Sequence, residues 1–268
     1  MSDTELSPLA SPATYPDLRG KTAVVTGGSR GIGAAAAAAL AANGVSVAVV
    51  GRDREALDRT VERLRTRPGA EATTALGVVA DCTVEDDVAR LRDIVAERLG
   101  AVDILAAFAG GNGAPVPTAQ ETAAHWRESV ESELTSVFVT VSAFLPGMLE
   151  RGRGTIITMS SAAARQAARS SAAYAAAKAG VIAFSRHLAG EYAGSGIRVN
   201  CIAPSAVEND KMRAWMSAEQ RRELGAAFPL GRIGQPEDIA AATLFLASDA
   251  SSWVTGITLD VAGGKVMP

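Results

Sequence analysis

With 268 residues, 48% of them hydrophobic, the chain is long enough to build one large core. Its 26 basic and 29 acidic residues leave a net charge of −3 with no Lys/Arg block, a balance that excludes a nucleic-acid partner tracked through phosphates. Apolar stretches are broken by Gly, Ser or charge before the roughly 18 residues a bilayer requires, and the acidic start at residues 1–5 is unlike a secretory leader, so no membrane and a cytoplasmic location are expected.

Residues 1–19 hold Pro8, Pro12 and Pro16 among Ser, Thr and Ala and read as a flexible arm, leaving 20–268 as one domain. From there apolar runs and helical stretches alternate. A strand over 22–25 leads through a Gly-rich turn to an Ala-rich helix over 32–42, closed by Asn43 and Gly44. A strand over 45–50 precedes a helix with Asp53 as its N-cap, and a strand over 74–79 precedes one that Thr83 and Asp86 would start as a capping box. Further runs follow at 102–107, 154–159 and 197–203, separated by long helices over 123–150 and 172–192. An insert at 205–230, a helix over 236–247 and a strand over 257–261 complete the series. Doubly apolar strands alternating with helices predict an α/β, doubly wound (Rossmann) parallel sheet of seven strands, covered on both faces, with ligands at the carboxyl ends of its strands. Cys82 and Cys201 fit no CxxC spacing, and His125 and His187 make no HExxH. Two buried free thiols and no metal are expected.

The segment from Thr26 to Gly33 reads TGGSRGIG between the first strand and the first helix. Gly27, Gly31 and Gly33 allow a tight turn and close backbone approach, and the N–H groups around Ser29, Arg30 and Ile32 face a pyrophosphate. At the end of the second strand, Gly51 stands where a carboxylate would accept from a ribose 2′-hydroxyl, and Arg52 follows. Arg52 and Arg30 would clamp a 2′-phosphate, which selects NADP(H) as cofactor. The plain alternative is two solvated arginines beside an Asp53 cap.

Tyr174 and Lys178 stand four apart in the helical stretch AAYAAAKA and leave one face of it. An ammonium about 4 Å from a phenol contributes roughly 4 kcal/mol at an effective dielectric of about 20, enough to bring a phenol of pKa near 10 towards neutrality. Taken alone, such a pair is common on helix surfaces. Together with the turn at 26–33, however, it resembles the short-chain dehydrogenase/reductase family over nearly the whole chain from residue 18. Ser161 lies thirteen residues before the tyrosine, and the stretches at 198–204, 229–236 and 245–249 are similar to beta-ketoacyl-acyl-carrier-protein reductases in particular.

The resemblance implies an oxidoreductase that moves a hydride between nicotinamide and a carbonyl or alcohol carbon. Tyr174 would transfer the proton, Ser161 would bind the oxygen, and Lys178 would hold the nicotinamide ribose and lower the tyrosine pKa. It also implies Asp81 and Cys82 at the adenine, Phe108, Ala109 and Gly110 beside the cofactor, and Val207 near the carboxamide. Family members are commonly homodimers or homotetramers, built partly on the two long helices.

Two departures stand out. The family's Asn-Asn-Ala-Gly is Ala107-Phe108-Ala109-Gly110, and the asparagine of its catalytic tetrad is Glu133. Glu133 would either hold the water leading to Lys178, offset its charge and raise the pH optimum, or turn away and leave its place to water. The segment 205–228 is the expected substrate lid, with Met212, Trp215, Met216 and Phe228 as its apolar lining or packed on the body. Arg151 and Arg153 are the residues left to meet an acidic acyl carrier protein, since Ser195 stands where the carrier reductases place a basic residue. A small free ketone or hydroxy compound is the other substrate class. A rival reading from another class is an NADP(H)-binding regulator or scaffold with little catalysis.

Overall fold

β-branched runs bounded by turn residues form the strands β1 Thr22–Thr26, β2 Ser46–Gly51, β3 Ala75–Val79, β4 Ile104–Ala107, β5 Gly154–Met159, β6 Ile197–Pro204 and β7 Thr258–Val261. The computed structural model covers residues 13–67, 72–111 and 115–267, Lys211 by its backbone alone. Among these residues the strands make one parallel sheet in the order β3-β2-β1-β4-β5-β6-β7. Every carboxyl end therefore lies at one edge, and the order reverses between β1 and β4, where doubly wound sheets open a ligand crevice.

The helices are α1 Gly31–Ala42, α2 Arg54–Arg65, α3 Glu85–Leu99, α4 Ala123–Val130, α5 Ser136–Arg151, α6 Ala172–Tyr192, α7 Asp210–Trp215, α8 Ala218–Ala226 and α9 Pro236–Ala247. Side chains alternate across the sheet and feed two cores. Ala23 and Val25 of β1 pack with Leu40, Leu57 and Leu244 from α1, α2 and α9. Val24 packs on the other face with Leu91, Phe144 and Val181 from α3, α5 and α6. Burial on both faces explains why these strands read as continuous apolar runs.

Two local expectations are corrected. The helix expected over 123–150 is interrupted, because a π-helical turn, Glu131–Thr135, separates α4 from α5. The whole run Ala123–Arg151 is long and apolar enough to cross a membrane, yet half of its most apolar window is buried inside the fold. The expected Thr83 capping box is absent. Val84 takes the cap position of α3 with no side-chain bond, because Thr83 donates its N–H and its hydroxyl to Asp81 instead. Glu85, Asp86 and Asp87 in the first turn face the helix dipole in its place.

Residues 1–12 of the expected arm lie outside the described residues. From Tyr15 the chain is docked: its N–H donates to Asn43 Oδ1 at 2.7 Å, and Leu18 is fully buried.

Candidate active site

The turn after β1 is shaped by the absence of side chains. Gly27 has a φ of +65°, and a Cβ there would stand 2.8 Å from the Phe108 carbonyl oxygen; a Cβ on Gly33 would overlap the Gly27 carbonyl. No side chain caps α1, so the N–H groups of its first turn, among them Gly31 and Ile32, present their positive end at the crevice. These residues fit the pyrophosphate of a dinucleotide. Thr26 closes the other side, its hydroxyl accepting from the N–H groups of Phe108 and Ala109 at 3.0 Å each. That bracing takes over from the missing asparagine amides, while the Phe108 ring sits in the core below. Sequence reasoning passed over Thr26, whose only signal was a hydroxyl at the last position of a buried strand.

Beyond β2, a Cβ on Gly51 would lie 3.1 Å from Ser29 Oγ, so the serine hydroxyl faces the position where a carboxylate is missing. Arg30 pairs with Asp53, which also caps α2 through the Ala56 N–H, and Arg52 lies 3.7 Å from Asp81. The two arginines are thus each partnered with a carboxylate, that of Asp53 exposed and that of Asp81 half-buried. A cavity of about 510 Å³ beside Arg30 is lined by Ser29, Ala56, Arg59, Glu62, Arg63 and Asp210. Arg59 and Arg63 were missed in the sequence, although their spacing of four puts both on the same face of α2. Asp81 is held below the usual carboxylate range, first by the Thr83 N–H. Burial pushes the Cys82 thiol up to about 11, so it stays protonated and inert.

At the carboxyl end of β5, Ser161 begins a short 3₁₀ turn and its Oγ accepts from the Ala163 N–H at 3.2 Å. Ser171 caps α6 by accepting from the Tyr174 N–H. Tyr174 is half-buried, and one turn deeper Lys178 is almost fully enclosed. Lys178 Nζ lies 5.7 Å from the centroid of the Tyr174 ring, 3.0 Å from the Met159 carbonyl oxygen and 2.8 Å from Glu133 Oε2. Ser160 fixes the helix here by donating to the Lys178 carbonyl oxygen.

Glu133 has therefore neither turned away to leave its place to water nor kept a water between itself and Lys178, which it meets directly. The π-helical turn carries it inward, and its two oxygens accept from the Gly111 N–H at 2.8 and 2.9 Å. Gly110, at a φ of +125°, leaves the room, since a Cβ there would meet Glu133 Oε2 at 2.5 Å. One buried carboxylate thus joins the segment after β4 to the lysine beside Tyr174.

Val207 is buried and bridges to Gly234 at the start of the 205–228 segment. Of the expected lid lining, Phe228 is packed beneath Gly263 and Lys265, Met212 and Met216 are half-buried, and Trp215 is 85% exposed. Glu208 ties the 205–228 segment together through Arg213 and Arg221.

Comparison with known proteins agrees with this geometry. Residues 27–265 match a family model described as Enoyl-(Acyl carrier protein) reductase. The chain is 40% identical over 244 residues to a cis-4-hydroxycyclohexanecarboxylate dehydrogenase of Sinomonas cyclohexanicum, covering 91% of this chain and 96% of that protein. It is 37% identical over 251 residues to the 3-oxoacyl-(acyl-carrier-protein) reductase FabG of Escherichia coli, covering 94% and 99%. The crystal structure of a levodione reductase superposes with a TM-score of 0.86 at 31% identity, over 92% of this chain and 98% of that one. A glycine-rich turn at the switch point of a seven-stranded parallel sheet, with Tyr174 and Lys178 on the helix after β5, accounts for these likenesses: the chain belongs to the short-chain dehydrogenase/reductase family of oxidoreductases acting on alcohol and ketone groups.

Proposed function

We propose that this protein is an NADP(H)-dependent oxidoreductase that interconverts a ketone and a secondary alcohol on a small free substrate. The observation that carries the reading is the Tyr174–Lys178 pair on one face of α6, with the ammonium buried against the tyrosine ring at the ligand edge of the sheet. A bound nicotinamide supplies or takes up the hydride. Tyr174 transfers the proton to or from the substrate oxygen, and Ser161 donates a hydrogen bond to that oxygen from the end of β5. Lys178 holds the cofactor ribose and presents its charge to Tyr174. Glu133 holds Lys178 in place and offsets part of that charge.

The phosphate preference is supported by the chemistry around Ser29. Gly51 brings no carboxylate, and Arg30, Arg59 and Arg63 outnumber Glu62 and Asp210 in the cavity beside Ser29, with Arg52 exposed at the end of β2. Asp81 and Cys82 would then flank the adenine, Phe108, Ala109 and Gly110 would line the cofactor, and Val207 would meet the carboxamide. A free substrate is favoured over a carrier-bound one by the place of Arg151 and Arg153. Both precede β5, whereas Ser161 follows it, so a strand of six residues, roughly 20 Å, separates them from Tyr174. Arg151 donates to the Val102 carbonyl oxygen, and Arg153 lies near Asp103. The buried, reduced thiols suit a cytoplasmic setting.

Oxidation of NADPH and NADH across cyclohexanones, beta-keto esters and acyl thioesters tests the reading. NADPH is expected to be preferred by about tenfold or more, and Tyr174→Phe to lose at least about 10²-fold in turnover. Cofactor binding without turnover of any of them would leave a binding protein instead.

A further inference from the structure

Glu121 lies outside the constellation described so far, yet its carboxylate is buried, with its side chain 6% exposed. It follows the short turn Thr118–Gln120, and both its oxygens accept from the N–H of Ala173 at 3.3 Å. His125 holds the carboxylate from the other side, with Nδ1 3.0 Å from Oε1. Ala173 is the second residue of α6 and immediately precedes Tyr174. The first N–H groups of a helix have no partner within it. Ser171 serves the Tyr174 N–H and Glu121 serves the Ala173 N–H, so the turn that carries the phenol is tied down from both sides.

We propose that Glu121 is a positioning residue for Tyr174: braced by His125, its carboxylate caps the start of α6 from outside and fixes the direction in which the phenol leaves the helix. A cap borrowed from 52 positions away is not needed for helix formation, since Ser171 already supplies the local one. Its effect is to tie α6 to the segment leading into α4, so that the first turn cannot fray independently. Displacement of a reacting group by about 1 Å costs on the order of 10²-fold in rate, and Tyr174 stands in the turn most prone to fray. Lys178 is held separately by Glu133 and the Met159 carbonyl, so cofactor affinity does not depend on the bridge.

The proposal rests on Tyr174 being the proton-transfer residue, which Tyr174→Phe tests by itself. With NADPH and ethyl acetoacetate, Glu121→Ala is expected to lower kcat about tenfold and leave the cofactor KM within about twofold. Glu121→Gln keeps an acceptor oxygen for the Ala173 N–H and is expected to stay within about threefold of the parent kcat. Thr122→Ala removes the cap of α4, where its hydroxyl accepts from the His125 N–H, and leaves the Glu121 carboxylate and the His125 ring in the chain. It serves as the control for lost stability. Amide hydrogen exchange at Ala173 and Tyr174, which needs no turnover, is expected to speed up at least tenfold in Glu121→Ala and not in Thr122→Ala. A kcat for Glu121→Ala no lower than that of Thr122→Ala, a Glu121→Gln as slow as Glu121→Ala, or unchanged exchange at these amides overturns the assignment.

Discussion

Glu133 and Lys178 form an ion pair whose side chains are 1% and 3% exposed. Neither charge can be left alone at such a site: removing one partner of a buried pair typically costs about 3–5 kcal/mol, most of it the price of an uncompensated charge. Glu133→Ala is therefore expected to lower the melting temperature by roughly 10 °C, at about 2–4 °C per kcal/mol for a domain of this size. Thermal unfolding followed by circular dichroism checks it, and a shift under about 3 °C would mean that water and the Met159 carbonyl satisfy Lys178 on their own. Glu133→Asn is the subtler change, because it keeps a polar group in the π-helical turn and removes the negative charge. With the ammonium no longer offset, the pH optimum for ketone reduction is expected to fall; a pH-rate profile identical to the parent's removes Glu133 from the electrostatics of the site. The substitution itself was legible from the chain, through the pattern ELTSVF. Its consequence was not, because the partner atoms come from Gly111 and Lys178, on other segments.

Among the elements, α9 illustrates how far local rules reach. Pro236 and the acids Glu237 and Asp238 mark its start in the sequence, and the helix runs Pro236–Ala247 as expected. What the chain alone did not reveal is that Asp238 also takes Arg232 in a two-pronged pair at 2.6 and 2.8 Å while accepting from the Gln235 N–H at 2.7 Å. The Arg232 bond, with the Gln235 N–H behind it, holds the Asp238 carboxyl below the usual aspartate range. A depressed folded pKa contributes stability that is present above the unfolded value of about 3.9 and is lost as pH falls through the folded one. Asp238→Asn is thus expected to cost about 1–2 kcal/mol near neutrality. In urea melts the difference should hold down to about pH 5 and shrink below pH 4; a gap independent of pH would assign the cost to lost hydrogen-bond geometry alone. The π-helical turn at Glu131–Thr135 is the opposite case. Its residues carry no Gly or Pro, and the one extra residue shifts the apolar period by a single position, a step too small to mark the turn in a run this long.

At the scale of the whole molecule, the alternation of doubly apolar strands with helices made the doubly wound parallel sheet legible, while its strand order came only from the structure. The distribution of surface apolar groups was not readable in the same way, since amphipathic periods do not say which face is left uncovered. On α5, Phe138 is 51% exposed and meets Phe184 of α6 edge-on, with ring centroids 6.0 Å apart. Trp126 on α4, 44% exposed, precedes it on the same helical run. A monomer gains little from such residues, whereas a twofold partner would bury the same face against itself. We propose that the homo-oligomer implied by the family resemblance uses α5 and α6, the second of which carries Tyr174 and Lys178. Phe138→Arg would place two like charges against each other across such an axis. The mass measured by light scattering is expected to halve, with NADPH affinity unchanged. The melting temperature of the parent should then rise with protein concentration and that of the variant should not, because only association links stability to concentration. Equal masses for parent and variant would show that this face stays in water, and would leave Phe138 stabilising α5 against α6 within a single chain.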